Sequence, residues 1–503
     1  MKKYLSSLSF GLRPVEIVIF LAILLLGLFL RFTDLTDPPL DFHPMRQLRG
    51  AIIARSMYYQ MLHRADPILV QKAVESTYTI ERQEPPVLER IVAITYLVTG
   101  EKLWVARVYS IFFWVIAGLA FFTLARRMTS TSGGLVAWAY FLLLPFGVVA
   151  SRTFQPDPFM VMWIALTLLA AYRWGETATW KWALATGLLA GWAMFVKITA
   201  VYYLAPMLII LVLTRFGLKR ALRDRWVWLA ALLSAVIPAI YYFGVLGSTS
   251  TGWFSGWALS FTQMLVKPRF YITWIKYLDY LMDLTMVGLA LLGLVFVPRV
   301  KDRLLLLGLW AGYVLFGLSF PYPIQTHEYY SIMLIPVVGM SLAALGKVVF
   351  DALAKQPRLW QWFAVAVMLL AVAYPSWLTY TGFIGENYRN EPIAWQKMGA
   401  TLPVGDYVGL THDYGMRIAY FGWRMVRFWP ANNDFAMLAQ RNKGYKENFE
   451  KLFEKKTSGM DYFLVTLKGE LQAQPLLKAR LYDNYPYTQG DGYILFDLRH
   501  PLH

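Results

Sequence analysis

The sequence predicts an all-α polytopic membrane domain of about eleven transmembrane helices with outer-surface juxtamembrane helices, followed by a small C-terminal α/β extramembrane domain. Three observations predict it. The 503 residues are 57% hydrophobic and only 16% charged, against roughly 45–50% and about 25% in soluble domains. Apolar stretches approaching the roughly 20 residues that a bilayer core asks of a helix recur along the chain. Strand-like runs, by contrast, are confined to the more polar segment after residue 385.

The first apolar stretch, residues 15–30, follows Lys2, Lys3 and Arg13. That flank has the look of a secretory signal, but no small-x-small cleavage site follows and further apolar segments do, so a retained first helix is expected. The others fall at 104–124, 134–150, 158–172, 180–196, 198–213, 226–245, 286–297, 304–320, 330–345 and 360–379. Basic residues gather in alternate connections: Arg126 with Arg127, Arg173 with Lys181, Arg215 to Arg225, Arg299 to Arg303, and Lys347 to Arg358. The positive-inside rule makes these loops and the N-terminus cytoplasmic in an inner (cytoplasmic) membrane, and puts the C-terminal domain outside.

Residues 86–99 need separate placement, because a helix over them rises only about 21 Å, short of a core of roughly 30 Å. Val87, Leu88, Ile91, Ile94 and Val98 make an apolar face beside Glu89 and Arg90, the pattern of an interfacial helix. A crossing here would also turn every later basic loop outward. The segment is therefore expected to lie on the outer surface. The same parity puts 33–103, 151–157, 247–283, 321–327 and everything after 385 outside. The domain division that follows is a transmembrane domain over 1–384, with its first outer loop at 33–103, and a soluble α/β domain over 385–503. Strands are expected at 406–411, 462–466 and 493–498.

The formal charge of +17 is scattered between apolar segments rather than gathered in a stripe, which argues against nucleic acid as a partner. The absence of cysteine excludes disulfides, thiolate metal sites and thiol nucleophiles.

Polar residues of the outer loops converge at helix ends. The first loop holds Asp41, His43, Arg46, Gln47 and Arg49, then Glu81, Glu84 and Glu89; the turn at 151–157 holds Arg152, Gln155 and Asp157; Lys197, His327, Tyr329 and Tyr330 fall at the same expected depth. Carboxylates able to take a proton, beside cations able to stabilise an anionic leaving group, are what transfer from a phosphate-linked donor requires.

These residues also carry a resemblance. The first-loop DFHP run, the segment EPPVLERIVAITYLVTGEKLWVARVYS, then FQPDP, GLLAGWAMFVKIT and HEYYSIMLIPVVG resemble the GT-C superfamily of glycosyltransferases, in the branch of protein O-mannosyltransferases and aminoarabinose transferases, over roughly the first 350 residues. The resemblance implies an inverting transfer of a sugar from a polyprenyl-phosphate carrier to an acceptor glycan, lipid or protein on the outer membrane face. It implies Asp41 as the catalytic base or acceptor-positioning carboxylate, and Asp157 with Glu84 as the second acidic motif, holding acceptor or metal. Arg46, Arg152, Lys197 and His327 become the grip on the carrier phosphate, with His43, Gln155 and Tyr330 in support. Two positions depart from the pattern: Glu84 stands before the proline pair where many relatives have lysine or histidine, and Asp41 is followed by Phe42 where many have a second acid. No cofactor is assigned beyond the lipid-linked donor, and several carboxylates beside a phosphate would suit a divalent cation bound through oxygen, to which the residues alone do not commit.

Each assignment has a plainer alternative. Asp157 followed by Pro158 is a good helix cap, Lys197 is placed to snorkel to headgroups, and surface arginines pair with headgroups or acids. Among whole-protein alternatives, a secondary transporter would carry ionisable residues and broken helices near mid-membrane, whereas these apolar segments are nearly free of charge. A lipid-linked glycan ligase or polymerase shares the donor chemistry.

Overall fold

The computed structural model describes residues 12–78, 80–81, 83–441 and 447–503; Lys2 and Lys3 lie outside the described residues. Every one of the eleven apolar segments is helical. Eight helices among the described residues are long and apolar enough to cross a membrane, and a ninth span results if the pair Pro268–Met282 and Leu284–Val295, bent by 93°, counts as one. The remaining two apolar segments are the shorter helices Thr131–Leu143, of 13 residues, and Trp180–Val196, of 17. Prolines set many of the starts, standing at the head of Pro14–Phe32, Pro44–Met61, Pro145–Ala150, Pro156–Thr177 and Pro268–Met282. There the ring presets φ and the missing N–H costs no bond.

The chain forms two compact units, one of Met1–Leu35, Arg82–Pro85 and Arg107–Gly385, the other of Thr36–Glu81, Pro86–Ala106 and Glu386–His503. In the first, helices approach closely through small residues. A side chain at Gly187 would meet the Ala230 carbonyl oxygen at 2.7 Å and one at Gly191 the Leu233 oxygen at 2.5 Å, so Trp180–Val196 packs backbone against Arg225–Ala239, the small-residue contact by which membrane helices gain dispersion energy. Four of the basic loops meet at one end of Pro156–Thr177. Arg127 and Arg173 both reach Glu176 at 3.1 Å, Arg215 donates to the Glu176 carbonyl at 2.7 Å, and Arg299 donates to the Arg127 carbonyl at 2.8 Å.

The second unit contains a five-stranded sheet: β1 (Tyr407–Leu410), β2 (Val426–Phe428), β3 (Tyr462–Val465), β4 (Tyr487–Gly490) and β5 (Tyr493–Asp497), in the order β2-β1-β3-β5-β4. β1 runs parallel to β2 and β3, while β5 is antiparallel to both β3 and β4. Val408, Leu410, Phe463, Val465 and Phe496 pack with Trp429, Phe453 and Leu481 in its core. The three expected strands are β1, β3 and β5. This unit also contains Val87–Thr99, whose 13 residues pack Leu88, Val92, Ala93 and Tyr96 inward and leave Ile94, Leu97 and Val98 exposed.

Candidate active site

Within the first unit, Asp157 and Lys197 meet. Lys197 ends the helix Trp180–Val196 with extended backbone, and its ammonium donates to Asp157 Oδ1 at 2.8 Å, both side chains being about 95% or more buried (5% and 3% exposed). Asp157 sits in the first turn of Pro156–Thr177, where the helix dipole favours a carboxylate. The helix is capped not by Asp157 but at Gln155, and without a side-chain bond. The Asp157 carboxylate is thus spent on a distant lysine, not on its own helix. A buried pair of this kind holds firmly only while both members are present. The Tyr329 and Tyr330 rings face the same ammonium at 5.0 and 5.1 Å. His327 stands beside them, its ring 5.6 and 6.0 Å from theirs and its Nδ1 2.8 Å from Thr326 Oγ1. Glu84 is within electrostatic reach of Tyr242, whose hydroxyl donates to the Phe195 carbonyl two residues before Lys197. Pro156–Thr177 runs from this site to the basic end at Glu176, about 33 Å at 1.5 Å per residue over its 22 residues.

Three buried arginines fix the loops around the pair. Arg152 donates to the Thr33 and Asp34 carbonyls at 2.7 and 3.0 Å and lies 4.2 Å above the Phe383 ring. Arg107 donates to the Leu35 carbonyl at 3.0 Å. Arg31 spreads its fork over Ser151 Oγ at 2.7 Å and the Gly27 and Leu142 carbonyls at 2.9 and 2.7 Å. Arginine's five fixed donors suit the carbonyls of an irregular backbone that would otherwise be buried unsatisfied.

In the second unit, Asp41 is half-buried and accepts from Gln47 Nε2 at 3.4 Å; the same amide donates to the Phe42 and Pro39 carbonyls at 2.7 and 3.3 Å. His43 takes the left-handed conformation, φ 46°, at the cap of Pro44–Met61, edge-on to Phe42, and half-buried Arg46 lies in the first turn. Asp37 accepts from the Tyr388 amide through both oxygens, at 3.0 and 3.2 Å, and approaches Arg389 at 3.7 Å. Burial, then the charges of Asp41 and Asp37, raise the Glu386 carboxyl above the usual range. Arg55, only 5% exposed, joins Glu101 at 2.7 Å and the Tyr420 carbonyl at 2.6 Å, fixing Pro44–Met61 to the segment after β1. Among the described residues no group of three or more His, Cys, Asp or Glu is arranged to hold a metal ion.

Residues 83–242 match the family of dolichyl-phosphate-mannose-protein mannosyltransferases. Two solved structures extend the likeness over nearly the whole chain. ArnT from Cupriavidus metallidurans in its apo state superposes with a TM-score of 0.56 at 16% identity, over 95% of this chain and 97% of that one. The archaeal oligosaccharyltransferase AglB from Archaeoglobus fulgidus, in complex with an inhibitory peptide and a dolichol-phosphate, gives 0.60 at 16% identity over 96% of this chain and 74% of that one. The chain therefore has the fold seen in ArnT and AglB, and its residues 83–242 are similar to the mannosyltransferase family. ArnT has also been solved bound to undecaprenyl phosphate, and that structure matches with a TM-score of 0.54 at 15% identity, over 95% of this chain and 97% of that one. A sequence search of curated proteins finds no match.

Of the residues singled out from the sequence, the first unit joins Asp157 with Lys197 and sets Tyr330 and His327 against the pair, while Arg152 is engaged by backbone carbonyls. The second unit joins Asp41 with Gln47. Sequence reasoning did not single out Asp37 or Glu386. Asp37 sits four positions before Asp41 and carried its own signal, an acid before a proline pair; Glu386 had none, being brought to Asp37 and Asp41 only by tertiary packing.

Proposed function

We propose that the chain transfers a sugar from a polyprenyl-phosphate donor to an acceptor glycan, lipid or protein on the outer face of the cytoplasmic membrane, with inversion. The observation that carries this reading is the buried Lys197–Asp157 pair at the mouths of two membrane helices, faced by Tyr329 and Tyr330. A buried ammonium beside a helix end is a ready site for the phosphate of a lipid whose chain lies among those helices. Lys197 is the principal phosphate contact, supplemented by His327, by Arg46 and by Arg152, which also donates to two carbonyls. Asp41 takes the proton from the acceptor hydroxyl as its oxygen bonds to the anomeric carbon. The bond from that carbon to the phosphate oxygen breaks, and polyprenyl phosphate leaves with the electron pair. Glu84 stays with the second acidic motif, as a candidate for holding acceptor or a divalent cation, with His43, Gln155 and Tyr330 in supporting roles.

The test is incubation of purified protein with a panel of radiolabelled polyprenyl-phosphate sugars and candidate acceptors. One donor is expected to be consumed with release of free polyprenyl phosphate, and Asp41→Asn to slow that by a factor of about 100 to 10,000, the usual worth of a positioned base. Undiminished consumption by the variant would remove Asp41 from the role.

A further inference from the structure

Asp157 commits one oxygen to Lys197, and its other, Oδ2, is buried with no hydrogen-bond partner. Two positions earlier, the Gln155 carboxamide is 1% exposed and neither its nitrogen nor its oxygen has a partner. Tyr203, on the helix Val201–Phe216 that follows Lys197, is 2% exposed, and its hydroxyl is likewise buried and unpartnered. It lies within electrostatic reach of Asp157. Folded proteins leave few such groups, and each calls for a ligand, an ion or an ordered water. Inside a membrane unit, where bulk water is not at hand, the demand is stronger.

The chemistry of the set says what it is for. An ionised phosphate offers only acceptor oxygens and is held by donors and cations. Asp157 Oδ2 can only accept, and so repels a phosphate rather than holding it. Gln155 offers two N–H donors and a carbonyl acceptor, and Tyr203 offers a hydroxyl that does both. A collection of one pure acceptor and two groups of either sense matches the hydroxyls of a sugar, each of which donates and accepts. Charge narrows the class, for beyond Lys197, which marks the phosphate side, the set holds one carboxylate already paired with that ammonium and two neutral groups, and so offers a sugar hydrogen bonds rather than a free countercharge.

We propose that Gln155, Asp157 Oδ2 and Tyr203 form the subsite that reads the sugar of the donor, and that this sugar is uncharged, with Lys197 marking the phosphate side of the same site. The assignment rests on the reading of the chain as a polyprenyl-phosphate sugar transferase and names the part of the donor these three residues recognise.

The test measures binding to the purified full chain of three probes: bare polyprenyl phosphate, a polyprenyl-phosphate hexose, and a polyprenyl-phosphate amino sugar carrying a positive charge. Wild-type protein is expected to bind the hexose carrier more tightly than the bare carrier, and the amino-sugar carrier no more tightly than the bare one. Tyr203→Phe and Gln155→Met are each expected to weaken the hexose carrier by about tenfold, the worth of a well-made hydrogen bond, and to leave the bare carrier unchanged. Retained binding of the bare carrier is the fold control, and Tyr203→Phe, which removes a hydroxyl without a partner, is expected to leave the thermal transition in place. Equal loss for bare and sugar-bearing carriers in either variant would overturn the subsite while leaving the transferase reading intact. Preference for the amino-sugar carrier would overturn the assignment of an uncharged sugar. Failure of wild-type protein to bind any of the three would sink the transferase reading and this inference with it.

Discussion

The ion pair between Lys197 and Asp157 sets what single substitutions should do. With side chains 5% and 3% exposed, each charge is tolerated only because the other is present. Asp157→Asn leaves a buried ammonium alone and is expected to cost about 3 to 5 kcal/mol of stability, read as a large fall in the thermal transition of the purified protein in detergent. The charge-neutral double variant Asp157→Asn/Lys197→Met should recover most of that loss, because replacing both members removes the stranded charge. A transition unchanged in the single variant would mean that the pair is solvated rather than buried. The residue scale was also the least legible from sequence. FQPDP singled out Asp157, but its partner stands 40 positions away, and the rule that makes Asp before Pro a cap pointed to the wrong bond. Arg152 illustrates the same gap: nothing in the sequence says that this loop arginine donates to the carbonyls of Thr33 and Asp34.

Among elements, the sheet of the second unit carries its own pH dependence. His412 follows β1, and its Nδ1 lies 2.9 Å from Thr466 Oγ1 beyond β3. Burial, then the Arg417 guanidinium, lowers the imidazole below its ordinary value, with Asp413 and Glu391 partly opposing. The fold therefore favours neutral imidazole, so its contribution is present above about pH 6.5 and is lost as pH falls through the lowered folded value. Hydrogen exchange at the β1 amides should speed up between pH 7 and pH 5 in the natural protein more than in His412→Gln; an equal change in both would remove this histidine as the cause. Element legibility followed apolar pattern. β1, β3 and β5 alternate or run apolar and were readable, while β2 has only three residues and β4 is largely exposed, so neither leaves a hydrophobic signature. Val87–Thr99 was readable as a short helix with an apolar face, but its sequence could not say that Val92, Ala93 and Tyr96 would pack inward and leave Val98 out.

For the whole molecule, the apolar segments were legible and their number less so, because length decides whether an apolar helix crosses. Thr131–Leu143 and Trp180–Val196 read as spans by composition but stop at 13 and 17 residues. The alternation of basic loops anticipated the gathering of Arg127, Arg173, Arg215 and Arg299 around one end of Pro156–Thr177. Its membrane meaning is testable, since the chain has no cysteine of its own. In intact cells an impermeant thiol reagent is expected to label Glu81→Cys and Thr326→Cys, and to reach Lys219→Cys and Arg358→Cys only after the membrane is opened; all four wild-type side chains are exposed. Opposite labelling of Glu81→Cys and Thr326→Cys would separate the first-loop acids from the His327 loop.

The most direct measurement is release of polyprenyl phosphate from a polyprenyl-phosphate sugar by the natural protein and by the Asp157→Asn/Lys197→Met variant, each checked for an intact thermal transition. Lys197 as the phosphate contact predicts turnover in the first and a loss of at least about tenfold in the second, the scale of one charge-assisted hydrogen bond. A folded double variant that releases the carrier at the natural rate would contradict the account.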